Sequence, residues 1–133
     1  RQLQVNSWGF SMDRAPATTG SGVVELIQTD VAATVTASVA ADVHPLNPDA
    51  PASLLTLGTT STGYTATAEG ATTATRLFDA THITGVSNGA SPTSYAYQFM
   101  PDERPIVAVS RFLRVRATFT AAVNMIVWIC WDE

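Results

Sequence analysis

The side chains able to act as acid, base or nucleophile are sparse in this chain, and their spacing brings no set of them together. Asp102 and Glu103 are adjacent carboxylates. A glycosidase-type acid and base must face each other across a cleft at controlled separation. Neighbouring positions on an extended backbone point apart, and Arg104 supplies local charge compensation, so this pair reads as a solvated or interfacial turn. The sole cysteine, Cys130, is far in sequence from His44 and His82, which leaves neither a Cys–His nucleophile nor zinc-ligand spacing. Asp42, Asp49 and Asp79 lack the alternating oxygen ligands of a calcium loop. Serines occur without a nucleophile elbow. Gly20-Ser21-Gly22 lacks the remainder of a phosphate-binding loop. The expectation is a noncatalytic protein with no cofactor and no metal.

Composition points the same way. The 133 residues suit one hydrophobic core. There are 20 Ala and 19 Thr, every basic residue is Arg, and charged residues make up only 14%. Much of the surface must therefore be Thr, Ser and Ala, which can be buried against a neighbour at little desolvation cost compared with charge. A net charge of −4 argues against direct nucleic-acid binding, because a phosphate backbone has to be neutralised by cations. The local cluster Arg111, Arg114 and Arg116 is expected on an exposed strand face or in intersubunit ion pairs. No apolar run approaches the ~18 residues of a membrane helix, so no membrane insertion is expected. A lone Cys130 between Ile129 and Trp131 reads as a buried inert thiol, and stability has to come from packing or assembly.

The elements that must carry this surface are strands. Leu113, Val115, Ala117 and Phe119 alternate with Phe112, Arg114, Arg116 and Thr118, the period of two that places successive side chains on opposite faces. The run Val123 to Trp131 is apolar on both faces, with Ile126, Trp128 and Cys130 on one, and predicts a central strand or one that lies beneath another layer or subunit. Ile106 to Val109 is expected to lead into these two segments as a terminal hairpin. Further strands are expected at Val23 to Ile27, at Val31 to Val43 as one long strand or two, at Leu54 to Leu57, at Tyr64 to Ala68, at Leu77 to Asp79, at His82 to Val86 and at Tyr95 to Phe99. Asn88-Gly89 signals a tight turn because both residues tolerate positive φ. The prolines at 45, 48 and 51 end the second of these strands, since proline supplies no ladder donor. Val35, Val39, Leu113, Val115, Phe119, Val127 and Ile129 are expected to be largely buried.

Residues 1–22 are expected to form an N-terminal arm and connector, with Trp8 and Phe10 as anchors for the domain or a neighbouring subunit. Residues 23–133 are expected to form a single β-sandwich domain. The fold class is therefore all-β: an antiparallel β-sandwich or jelly roll, with a barrel still open because strand order is not visible in the pattern.

The strand Ser110 to Phe119 and its apolar successor, within a Thr/Ala/Val-rich β-domain, resemble small structural proteins of tailed-bacteriophage particles, including capsid decoration or cement proteins and compact tail modules. The resemblance covers much of the chain in style and carries no diagnostic motif. It implies a noncatalytic virion protein that self-associates and attaches to a major capsid or other virion protein. Trp8, Phe10, Arg114, Arg116, Trp128 and Trp131 are the candidate assembly contacts. The alternative is a carbohydrate- or receptor-binding module, in which Tyr95 and Tyr97, or an exposed tryptophan, offer flat rings to a glycan.

Overall fold

The computed structural model describes residues 2–16, 20–85 and 93–133. Its elements are β1 (Leu3–Met12), β2 (Gly22–Thr29), β3 (Thr34–Ala37), a 3-10 turn (Ala40–Asp42), β4 (Gly63–Ala68), β5 (Thr75–Ile83), β6 (Thr93–Gln98), β7 (Ile106–Val107), β8 (Phe112–Phe119) and β9 (Met125–Asp132). All strand pairings among the described residues are antiparallel. The chain is an all-β protein with several antiparallel sheets.

Two of the sheets are organised around a central strand. In the first, β1 pairs with β9 along one edge, while β6 and β7 share its other edge end to end. In the second, β2 lies between β5 and β8. Val5, Trp8, Phe10, Met12, Phe99 and Val107 of the first sheet and its turns meet Val24, Leu26 and Ile83 of the second in one apolar cluster. The arrangement is sandwich-like, with the core between the two sheets.

Residues 3–12 are therefore not an arm. They form the central strand of a sheet, and Val5, Trp8 and Phe10 are at most 2% exposed. A bulge explains why alternation fails to reveal them. The pairing with β9 shifts between Val5 and Ser7, leaving Asn6 as the extra residue. A bulge reverses the alternation, so Val5 on one side and Trp8, Phe10 and Met12 on the other all reach the core. The proposed boundary at residue 22 runs through the middle of this cluster.

Consecutive strands at the C-terminus are not a hairpin. β8 pairs with β2 and β9 with β1, so the chain crosses from one sheet to the other between them. Leu113, Val115, Phe119 and Ile129 pack against the core at intermediate burial, whereas Val127 is 40% exposed on β9, which among the described residues pairs with β1 alone. The Val31–Val43 segment gives only the four-residue β3, and Val39 is exposed in the loop that follows. Leu54 to Leu57 forms no strand, while Leu77 and His82 belong to one continuous β5. The Asn88-Gly89 turn lies outside the described residues.

β3 and β4 make a separate two-stranded sheet that adds nothing to the central cluster. Such a pair is marginal alone, and Thr65 within it has φ 48, a region sparsely populated by β-branched residues. Ion pairs fasten this excursion to the outer face of the second sheet. Arg116 reaches Glu69 at 2.6 Å and Glu25 at 3.6 Å. Arg114 donates to the Glu69 carbonyl at 2.9 Å, to Thr29 Oγ1 at 2.7 Å and to the Val31 carbonyl. Burial pulls Arg114 below its ordinary pKa, with Glu69 opposing that shift. Asp30 closes the excursion by accepting from the Thr73 hydroxyl and from the N–H groups of Thr73 and Ala74. These bonds, the Thr73 hydroxyl foremost, hold its carboxyl down at about 2, against an ordinary value of 3.8. Since the folded pKa is the lower, this contribution is complete above the ordinary value and is lost as pH falls toward 2. Protection of the residue 73 and 74 amides, taken relative to their intrinsic exchange rates at each pH, is expected to fall across that interval.

Candidate functional site

The acid, base and nucleophile candidates remain dispersed after folding. Asp102 and Glu103 sit exposed on a turn beside an open groove of about 460 Å³ that Arg76, Phe78 and Arg104 also line. His82 is exposed on β5, and half-buried Cys130 lies on β9 in the other sheet. Among the described residues no group of three His, Cys, Asp or Glu side chains is placed to hold a metal ion. No helix there is long and apolar enough to cross a membrane.

The polar group that joins the two sheets is Asp79, and its work is structural. Its Oδ2 accepts from Trp8 Nε1 and from Tyr95 Oη, both at 2.9 Å. Because Asp79 stands on β5 and its donors on β1 and β6, one carboxylate ties the two sheets together. Desolvation, and then the Asp79 carboxylate, push the Tyr95 phenol up to about 12. The neutral phenol is thus favoured by folding, so its contribution is complete below the ordinary value of 10.0 and disappears as pH rises from there toward 12. Asp79→Ala is expected to cost about 2–4 kcal/mol, since hydrogen bonds to a charged acceptor are stronger than neutral ones and the deeply buried indole N–H is left unpaired. Denaturant melts check this value, and Asp79→Asn, which retains one acceptor, should lose less.

This geometry removes Tyr95 from the candidate ligand platform. Its ring packs on Trp8 and Phe10 with centroids at 5.6 and 6.0 Å. Tyr97 is 41% exposed but meets Phe99 edge-on at 5.0 Å. Trp8 and Phe10 are likewise unavailable as assembly contacts, being interior. Arg114 and Arg116 are engaged with Glu25 and Glu69 of the same chain. Trp131 is half-buried, with its N–H donated to Glu133 at 2.9 Å.

Trp128 is different. It lies opposite Gly9, whose other neighbour is Ala96 of β6, on the face of the first sheet that points away from the core. A β-carbon at Gly9 would fall 2.5 Å from Trp128 Cζ2 and 2.6 Å from the Tyr95 carbonyl. The missing side chain is what lets the indole lie over the sheet. Around it the same face carries Ser7, Ser11, Ser94 and Gln98 in register. Ile126, two residues along β9, is 73% exposed, Trp128 is 42% exposed, and Val127 is exposed on the other face. Gly9 is the contributor that sequence reasoning missed. Its signal was a glycine between two aromatic residues inside a strand, a pattern that marks close approach by another group.

Compared with family models, curated proteins and solved structures, the chain matches none.

Proposed function

We propose that this chain is a noncatalytic structural module that attaches within a larger symmetric assembly through the β9 face. The observation that carries it is an apolar strand at a sheet edge with Ile126, Val127 and Trp128 exposed. An exposed apolar edge strand is a template for pairing, and one that stays free in solution is normally blunted by charge, proline or cover. From Met125 to Trp131 β9 has no charged residue and no proline. The low-charge surface and the weakly packed excursion, with Leu46, Leu54 and Tyr64 exposed, suit the same role. The resemblance to phage structural proteins supplies the context: a β-sandwich that decorates or cements a virion surface, with a major capsid or other virion protein as partner.

The test is attachment of purified chain to its native particle, scored by co-sedimentation. Ile126→Asp should weaken attachment about tenfold to a hundredfold, the factor that corresponds to burying one large aliphatic side chain. Circular dichroism should not change, because Ile126 contributes little to the interior. Undiminished attachment by this variant rejects the role assigned to β9.

A second reading has its own observation. Trp128 over Gly9, beside Ser7, Ser11 and Gln98, presents an aromatic ring with hydrogen-bonding neighbours, the combination that receives a sugar ring. Saturable change in tryptophan fluorescence on titration with oligosaccharides, abolished in Trp128→Ala, would select glycan binding instead.

A further inference from the structure

We propose that the occupant of the β9 edge is a second copy of this chain, paired antiparallel with β9 about a two-fold axis through Trp128. The proposal rests on the assembly role given to β9 and adds the partner and its register.

Backbone direction comes first. Asp13 N–H donates to the Asn124 carbonyl at 3.4 Å, in line with the register that sets Met12 opposite Met125. In an antiparallel ladder, residues that exchange hydrogen bonds alternate with residues that do not. Asn124, Ile126 and Trp128 therefore turn their backbone groups toward β1, and Met125, Val127, Ile129 and Trp131 turn theirs outward. Among the described residues β9 has no second strand to receive them.

Side-chain chemistry then selects the register. Two-fold pairing centred on Trp128 sets Trp128 against its own copy, Ile126 against Cys130, Val127 against Ile129, Met125 against Trp131 and Asn124 against Asp132. Apolar residues meet apolar ones and polar residues meet polar ones. Moving the axis to Ile129 would instead oppose exposed Ile126 with Asp132. Cross-strand pairs of this kind are what stabilise a sheet. The outward donors and acceptors at Val127 and Ile129 face each other in the chosen register.

Charge sets the direction. β9 ends at Asp132, which pairs with Arg104 at 3.6 Å, and Glu133 follows it, accepting from the Ser53 hydroxyl and the Leu54 N–H; a parallel pair would still stack these two acids on their copies. The antiparallel pair separates them and carries each acidic end to the Asn124 end of its partner. Asp13 there is held by the Asn124 side-chain amide at 3.1 Å, while Arg14 is exposed and makes no ion pair among the described residues.

The register can be read with the native thiol. Ile126 and Cys130 of opposite copies form a pair without hydrogen bonds, where α-carbons lie about 4.5 Å apart, within disulfide range. Ile126→Cys, oxidised with copper phenanthroline as electron acceptor, should give a covalent dimer whose linked peptides join positions 126 and 130. Val127→Cys, on the other face, should not link to Cys130. Light scattering of the unmodified chain should show a dimer whose fraction rises with concentration. A dimer lacking the 126–130 link, or equal linkage from both variants, overturns the proposal. So does a chain that stays monomeric at every concentration. If that monomer still binds its particle, the attachment role of β9 survives without the second copy; if it does not, both fall.

Discussion

Trp8→Ala should leave the protein largely unfolded or close to it. Trp8 is 0% exposed at the centre of the cluster that joins the two sheets, and its ring meets those of Phe10 and Tyr95 in tilted contacts. Truncating a buried Phe or Trp to Ala costs about 3–5 kcal/mol. A domain of this size holds only about 5–15 kcal/mol in total. Here Asp79 also loses one of its two inter-sheet donors. The midpoint of thermal unfolding should fall by roughly 10–20 °C, at about 3–5 °C for each kcal/mol. Trp8→Phe separates the two contributions, because it keeps most of the ring volume and removes the N–H. A double-mutant cycle of Trp8→Phe with Asp79→Ala should show coupling, as residues sharing one hydrogen bond do. Full stability in Trp8→Ala would mean that residues 3–12 are peripheral after all.

Gly9→Ala should act on the fold and on the β9 face together. Its new β-carbon would meet the Tyr95 carbonyl at 2.6 Å and Trp128 Cζ2 at 2.5 Å. A flexible side chain can move aside, but a carbonyl held between β1 and β6 cannot move without disturbing their pairing. Overpacking of this kind costs about 1–3 kcal/mol, and Gly9→Val, with its branched side chain, should exceed that range. Displacing Trp128 also removes the flat surface on which assembly or glycan binding depends. Tryptophan emission should shift to the red, and particle attachment should weaken even at temperatures where the variant remains folded. An alanine variant with unchanged stability, emission and attachment would show that Trp128 does not rest on this glycine. Trp128→Ala paired with Gly9→Ala provides the converse check: part of the destabilisation should be relieved once the ring is gone.

The period-two pattern by itself determined that this is a β-protein and, in β8, which side chains share a face. Leu113 and Val115 face the core while Arg114 and Arg116 face outward, as alternation requires. Whether His82 and Cys130 meet in space was not legible in their spacing; the fold puts them in different sheets. Strand pairing was not legible either, because alternation describes one strand and says nothing about the strand beside it. β8 and β9 are neighbours in the chain yet lie in different sheets, so their apparent hairpin dissolves. β1 was hidden by its bulge at Asn6, where one extra residue in the pairing with β9 reverses the alternation and makes a core strand look like an anchored arm. The opposite error arose at Val39, exposed where a regular pattern predicts burial because the excursion brings no apolar layer over it, while Val35 is half-buried outside the core cluster. Only the tertiary structure decided which aromatic residues are interior and which is presented. Trp8 and Tyr95 are drawn inward by the cross-sheet carboxylate of Asp79, and Trp128 is left outside because Gly9 leaves room for its ring on the outer face.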